Sequence, residues 1–194
     1  MKRAFIIHGW GGNSKEGWFP WLKKELVKRG FKVYVPNMPD SECPKIKAWI
    51  SCLKKLVGTA DENTYFVGHS IGCQTILRYL ETLPKNAKVG GAVFVAGWTN
   101  LKLEAIEEEE PGSSKIAMPW IKKKISWNKI LNHSKKFISI FSDNDPFVYL
   151  ADSKIFRNKL RSKIIVQRNR GHFSGSSGVK KLPIALKSVL KISK

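Results

Sequence analysis

The segment from residue 64 to residue 83 restricts most tightly how this 194-residue chain can fold. Thr-Tyr-Phe-Val at 64–67 is a short β-type run. Gly68-His69-Ser70-Ile71-Gly72 follows at once, and residues 73–83 repeat apolar side chains at helical spacing until Pro84 stops them. Strand, tight turn and helix succeed one another directly, which is the unit from which parallel sheets are built.

The same alternation runs along the chain. Further β-type runs lie at 4–7, 31–35, 91–96, 137–141 and 163–166. Between them, 18–29 places Trp18, Trp21, Leu22, Leu26 and Val27 at helical spacing before Gly30. Pro44 can open a second helix, with Ile46, Trp49, Ile50, Leu53 and Leu56 on one face. Helical patterns also cover 148–160 and 179–190, the latter interrupted near its start by Pro183. The expected structure is one α/β domain over 1–194, with a reduced, mostly parallel sheet of about six strands flanked by helices. Residues 97–136, between the fourth and fifth β-type runs, are more than one crossover helix needs. They are read as a small cap insertion over the carboxyl edge of the sheet.

Composition narrows the function classes. With 42% hydrophobic and 26% charged residues the chain is an ordinary globular one, which argues against disorder. Cys43, Cys52 and Cys73 fit neither a disulfide framework nor a zinc pattern. The apolar run after Met1-Lys2-Arg3 ends at His8, too short for a signal peptide, and no run is long enough to span a membrane. A soluble, cytoplasmic protein is expected, as a monomer or a homodimer. The charge is uneven: residues 1–113 carry 16 bases and 12 acids, whereas 114–194 carry 19 bases and 3 acids. Such a basic half suits a solvated surface or an anionic partner, with no known nucleic-acid module to favour the latter.

The chemistry lies in the turns after the β-type runs. In G-x-S-x-G between strand and helix, the serine sits on a strained turn at the sheet's carboxyl edge, and the flanking glycines avoid collision with neighbouring backbone. Ser70 is the candidate nucleophile. It needs a base, and the base needs an orienting acid. Of four histidines, His172, in the loop after the sixth run, is the best base. His69 is expected to point away from the site and His133 to be exposed. Asp143 and Asp145 both follow the fifth run and could both orient His172. Asp145, just before Pro146, lies deeper in the turn. The amides of Ile71 and Trp10 are the expected oxyanion donors, Trp10 lying in the loop His8-Gly9-Trp10-Gly11-Gly12. That loop lacks the G-x-G-x-x-G spacing of a dinucleotide site. Trp10, Phe147 and Phe173 are candidate substrate contacts.

With these residues in view, the chain resembles the compact α/β-hydrolases of the retinoblastoma-binding protein 9 type. The resemblance rests on His8 to Gly12, Trp18 to Leu26, Asn37-Met38-Pro39-Asp40, Gly68 to Gly72, Asp145-Pro146-Phe147 and Gly171-His172-Phe173. It implies an α/β-hydrolase fold without the usual N-terminal hairpin, a Ser70–Asp145–His172 triad, and Asp145 in preference to Asp143. The expected activity is hydrolysis of a small ester, thioester or amide through an acyl-enzyme, without metal or organic cofactor. The competing expectation is an interaction protein on the same scaffold, holding an anionic partner on its basic C-terminal half.

Overall fold

The six β-type runs form one sheet in a computed structural model that describes residues 1–194. In chain order the elements are β1 (Arg3–Ile7), α1 (Phe19–Val27), β2 (Lys32–Tyr34), α2 (Ile46–Val57), β3 (Thr64–His69), α3 (Ile71–Leu80), β4 (Gly91–Val95), α4 (Leu103–Glu109), α5 (Ser113–Lys122), α6 (Trp127–Leu131), β5 (Phe137–Ser142), α7 (Asp152–Leu160), β6 (Lys163–Gln167) and α8 (Pro183–Ile192). The strand order is β2-β1-β3-β4-β5-β6, and every pairing is parallel. From β1 the chain steps outward to β2, then returns to the other side of β1 for β3. A crevice opens at the carboxyl ends of the strands where the winding reverses, between β1 and β3.

The centre of the sheet is sealed. Every residue of β3, β4 and β5 is buried, and so is every residue of α3, which packs on β3 and β1. A helix with no wet face is apolar or small over most of its length, as Ile71-Gly72-Cys73 with Ile76, Leu77 and Leu80 are, and its buried Gln74 and Arg78 donate to the carbonyls of Trp98 and Trp120. The α1 and α8 helices pack together on one face, and α2, α3 and α7 cover the other.

Several boundaries differ from the sequence pattern for local reasons. The α3 helix starts at Ile71, immediately after Ser70, so the turn holds no slack. The α7 helix starts at Asp152 because Val148 is occupied: it bridges Leu101 in antiparallel fashion, and its amide donates to Asp145 Oδ1 at 3.0 Å. Pro183 does not interrupt α8 but opens it, where a missing N–H costs nothing. Pro44 lies outside α2, since Lys45 is still extended and the helix begins at Ile46. His133 is not exposed. It is buried at 2% exposure, with Nδ1 2.8 Å from the Ala87 carbonyl.

Three short helices fill the connection from 97 to 136, and it divides in two. No residue of α4 is buried. Further on, Trp120 of α5 is fully buried; its indole N–H donates to the Pro44 carbonyl at 2.9 Å and its ring meets Trp49 edge-on. Arg78 of α3 donates to the carbonyls of Trp120 and Lys123 at 2.6 and 2.8 Å. The rear half of the connection thus belongs to the flank beside α2 and α3, and only the front half stands at the carboxyl edge.

Phe94, the fourth of the five residues of β4, is wholly buried against Phe137 and Phe156. Phe94→Ala should destabilise the domain by about 3–5 kcal/mol through lost transfer energy and the cavity left behind. Urea denaturation followed by tryptophan fluorescence reads this as a lowered midpoint.

Candidate active site

Ser70 joins β3 to α3 at φ 51°, ψ −119°, a conformation L-residues adopt only under constraint. The constraint comes from both neighbours. The Ser70 amide donates to the Val95 carbonyl, and its carbonyl accepts from Cys73, both at 2.9 Å. The glycines of the motif are required by contact: a Cβ on Gly68 would lie 2.7 Å from the Cys73 nitrogen, and one on Gly72 would lie 2.4 Å from the Ile7 carbonyl oxygen. Side chains there would push α3 off β3 and β1. Ser70 is 8% exposed.

The turns after β5 and β6 are joined residue by residue. The amide of Asn169 donates to Asp143 Oδ1 at 2.8 Å, that of Arg170 to Ser142 Oγ at 3.0 Å, and that of Gly171 to Asn144 Oδ1 at 2.9 Å. Then the ring of His172 meets Asp145, with Nδ1 2.9 and 3.1 Å from the two carboxylate oxygens. Since a carboxylate only accepts, Nδ1 carries the hydrogen and Nε2 is left for the cavity. The structure therefore separates the two aspartates that the sequence left competing: Asp143 holds backbone, Asp145 holds the imidazole. Asp145 is 5% exposed, and Oδ1 also accepts the amides of Phe147 and Val148. Burial pushes its carboxyl upward. The hydrogen bond from His172, the charge of that ring and the two amides outweigh this and hold the group below the ordinary carboxylate value.

The loop after β1 is fixed by His8, which is buried. Its Nδ1 lies 2.7 Å from the Gly9 carbonyl and its Nε2 accepts the Met38 amide at 2.8 Å, so the hydrogen is on Nδ1. The Gly9 carbonyl also accepts from Gly12 at 3.3 Å. In a trans peptide the N–H points opposite to the carbonyl, so Trp10 N–H faces away from His8, and it finds no acceptor inside the protein. Ile71, first residue of α3, likewise has no acceptor for its amide within the helix.

These pieces border one cavity of about 330 Å³ at the carboxyl edge, over the β1–β3 reversal. Ser70, His172, Trp10 and Ile71 line it, and so does Phe147, whose ring stands edge-on to His172 at 5.2 Å. The hydrogen bonds of the site do not include one between Ser70 and His172, a contact often long in empty sites. Trp98, Leu101 and Ile106 supply apolar wall from the front of the 97–136 connection. Besides His69 and His172, the titratable residues lining the cavity are Glu16, Glu109 and Glu110, and no lysine or arginine lines it.

Two side chains lie elsewhere, relative to the site, than the sequence pattern suggests. Phe173 does not line the cavity; it is fully buried, and its carbonyl accepts the Trp18 indole N–H at 2.9 Å. Having φ 55°, it turns inward just after His172. His69 does not point away from the site: its ring lies 5.0 Å from that of His172. Side-chain alternation along β3 does put it on the α1 face, opposite α3, where Trp18 and Phe19 meet the ring, but the loop after β6 crosses that same face and brings the His172 carbonyl onto it.

The description of the serine hydrolase family matches this chain over residues 4–191. The chain belongs to the serine hydrolase family. As a serine hydrolase it is 33% identical over 185 residues to YdeN of Bacillus subtilis (strain 168), a protein named as a hydrolase, covering 94% of this chain and 92% of the relative. It is 28% identical over 177 residues to serine hydrolase RBBP9 of Rattus norvegicus, covering 90% of this chain and 88% of the relative. The crystal structure of the Bacillus subtilis ydeN product superposes with a TM-score of 0.88 at 30% identity, covering 99% and 98% of the two chains. A carboxylesterase structure from Nitrososphaera gargenis shares the fold, with TM-score 0.74 at 15% identity over 99% and 90%. This hydrolase, with its six parallel strands, thus shares the α/β-hydrolase fold of its relatives.

The acceptor-rich run Ser142-Asp143-Asn144-Asp145 was the available signal for the loop clamp, since four consecutive short polar side chains are more than an Asx turn uses. Nothing in the sequence marked Glu109 and Glu110 of this hydrolase as cavity residues, because they belong to an acidic run that reads as solvated surface.

The depressed carboxyl of Asp145 links folding to acid. The native state binds this proton less readily than the unfolded chain. Its contribution is present above the unfolded value of roughly 3.9 and is lost as pH falls through the lower folded value. The stability gap between the wild type and Asp145→Asn should therefore narrow from neutral pH towards about pH 3, read by urea denaturation across a pH series. A constant gap would show that Asp145 carries no such linkage.

Proposed function

We propose that this serine hydrolase cleaves a small carboxylic ester, thioester or amide with Ser70 as nucleophile, His172 as general base and acid, and Asp145 as its orienter. The observation that carries the reading is the Asp145–His172 pair opening onto the same cavity as Ser70 on its strained turn. Ser70 Oγ attacks the acyl carbon while His172 Nε2 takes its proton. The carbonyl oxygen becomes an oxyanion and accepts hydrogen bonds from the otherwise unbonded amides of Trp10 and Ile71. His172 then delivers the proton to the leaving oxygen, sulfur or nitrogen as that bond breaks. Water, deprotonated by His172, releases the acid and restores Ser70. Asp145 keeps Nδ1–H in place and stabilises the imidazolium formed at each transfer.

The cavity sets the substrate. Its volume lies at the lower end for small-molecule sites, which suits a short acyl group against Trp98, Leu101, Ile106 and Phe147. Residues 97–112 act as the cap, contributing that wall and the two rim carboxylates. With Glu16 opposite, the rim is negative although the chain as a whole carries +20. Neutral or cationic acyl compounds fit it better than anionic ones. Steering of an anionic partner by the basic half finds no support at the cavity.

A fluorophosphonate probe should label the wild type and leave Ser70→Ala unlabelled; equal labelling would remove Ser70 from the mechanism. Asp145→Asn should lower kcat by up to about 10⁴-fold, as in triads where the imidazole takes the wrong tautomer. Asp143→Asn, which touches only backbone, should cost far less, and the ratio of the two losses on a p-nitrophenyl ester checks the assignment.

The double substitution Glu109→Gln and Glu110→Gln should raise kcat/KM for an aryl hemisuccinate ester relative to an uncharged aryl ester of similar length. The difference should shrink at high salt as the rim charge is screened. Identical ratios before and after substitution would place these carboxylates outside the substrate's field.

A further inference from the structure

One buried titratable side chain beside the nucleophile has no part in the steps above. His69 is 4% exposed and sits between the elbow and the loop that carries the base. Its Nε2 lies 2.7 Å from the main-chain carbonyl oxygen of His172. A carbonyl only accepts, so the hydrogen is on Nε2 and the free lone pair on Nδ1. That Nδ1 is sealed from solvent and has no hydrogen-bond partner. Trp18 stands edge-on to the ring, with Phe19 tilted beside it. Burial and the adjacent His172 push the group down to about 3, so it stays neutral at physiological pH. It neither competes as a base nor sets a fixed charge against the imidazolium that His172 becomes.

We propose that His69 is a positioning residue: it holds the main chain of His172 so that the imidazole stays aligned between Asp145 and Ser70. The proposal rests on reading Ser70, Asp145 and His172 as a triad. The loop that carries the base needs such a hold. Asn169, Gly171 and Phe173 all have positive φ, and this stretch lies outside any strand or helix. The turn after β5 grips the amides of residues 169–171. Nothing in that turn grips the carbonyl side. There His69 donates to the oxygen of His172 and Trp18 donates to the oxygen of Phe173. The base is therefore held from two directions, its amides from the acid turn and its carbonyls from the end of β3 and the residue that caps α1. Through His69, the residue before the nucleophile fixes the residue that must deprotonate it.

The test compares two buried polar substitutions that differ in reach. In His69→Gln the amide nitrogen can occupy the place of the imidazole Nε2 and still donate to His172. In His69→Asn the amide ends nearer the position of Nδ1 and falls short. Because a misplacement of about 1 Å can cost 10²-fold in rate, His69→Asn should lose about 10- to 100-fold in kcat with KM nearly unchanged. His69→Gln should stay within a few-fold of the wild type. The second readout needs no turnover: the low-field proton NMR signal of His172 Nδ1–H on Asp145 should persist in His69→Gln and broaden by exchange in His69→Asn. The proposal is overturned if His69→Asn matches the wild type in kcat and in this signal. It is equally overturned if both variants lose rate and signal alike at unchanged melting temperature, since volume rather than the hydrogen bond would then matter. Were Ser70→Ala to label like the wild type, the triad reading would fall, and the proton signal alone would decide whether His69 holds His172.

Discussion

The site depends on a clamp between two turns. Ser142, Asp143, Asn144 and Asp145 at the end of β5 hold the consecutive residues 169–172 after β6. Three of these contacts are spent on backbone amides and only the fourth on the imidazole. A histidine in a loop would otherwise sample many positions, and ordering such a loop costs entropy for every residue fixed. Adjacent parallel strands bring the two turns side by side at the carboxyl edge. The sheet register, with Ser142 of β5 opposite Gln167 of β6, sets which residue meets which.

Much of this was legible in the sequence. Six strands, their alternation with helices and the place of Ser70 follow from hydrophobic periodicity and from glycines that only a tight strand–helix turn requires. The loops were less legible, because their contacts cross long sequence distances that no local pattern encodes. The polar neighbours of His133 suggest exposure, yet its ring reaches the Ala87 carbonyl across 46 residues. His69 obeys period-two alternation and faces α1, yet the loop that carries His172, 103 residues on, passes over that face, and no local pattern encodes this. Phe173 looked like pocket because it adjoins His172, but positive φ at that residue turns the chain inward. Asp143 and Asp145 were equal candidates by chemistry alone, and only the register of the two turns separates them.

Charge gives a different lesson. The basic surplus is a property of the surface and the acidic rim a property of the cavity. Their signs differ because a pocket is chosen by which few side chains a fold brings together. Glu16 comes from the loop before α1, whereas Glu109 and Glu110 come from α4 and its end, nearly a hundred residues later. A net charge summed over either half of the chain averages that local field away.

The front of the 97–136 connection has one more implication. It is fastened at both ends: buried Asp152 accepts from Thr99 and Asn100 where the segment leaves the sheet, and buried Arg78 ties down the Trp120 and Lys123 carbonyls beyond it. Between these anchors, α4 contributes no buried residue to the core. Leu103 and Ile106 lean on the core and Gly112 needs its φ of 91°, but substitutions at the exposed Glu108, Glu109 and Glu110 can reshape the mouth of the pocket while the fold bears little of the burden. A change in what the pocket admits need not disturb the turn that holds Ser70.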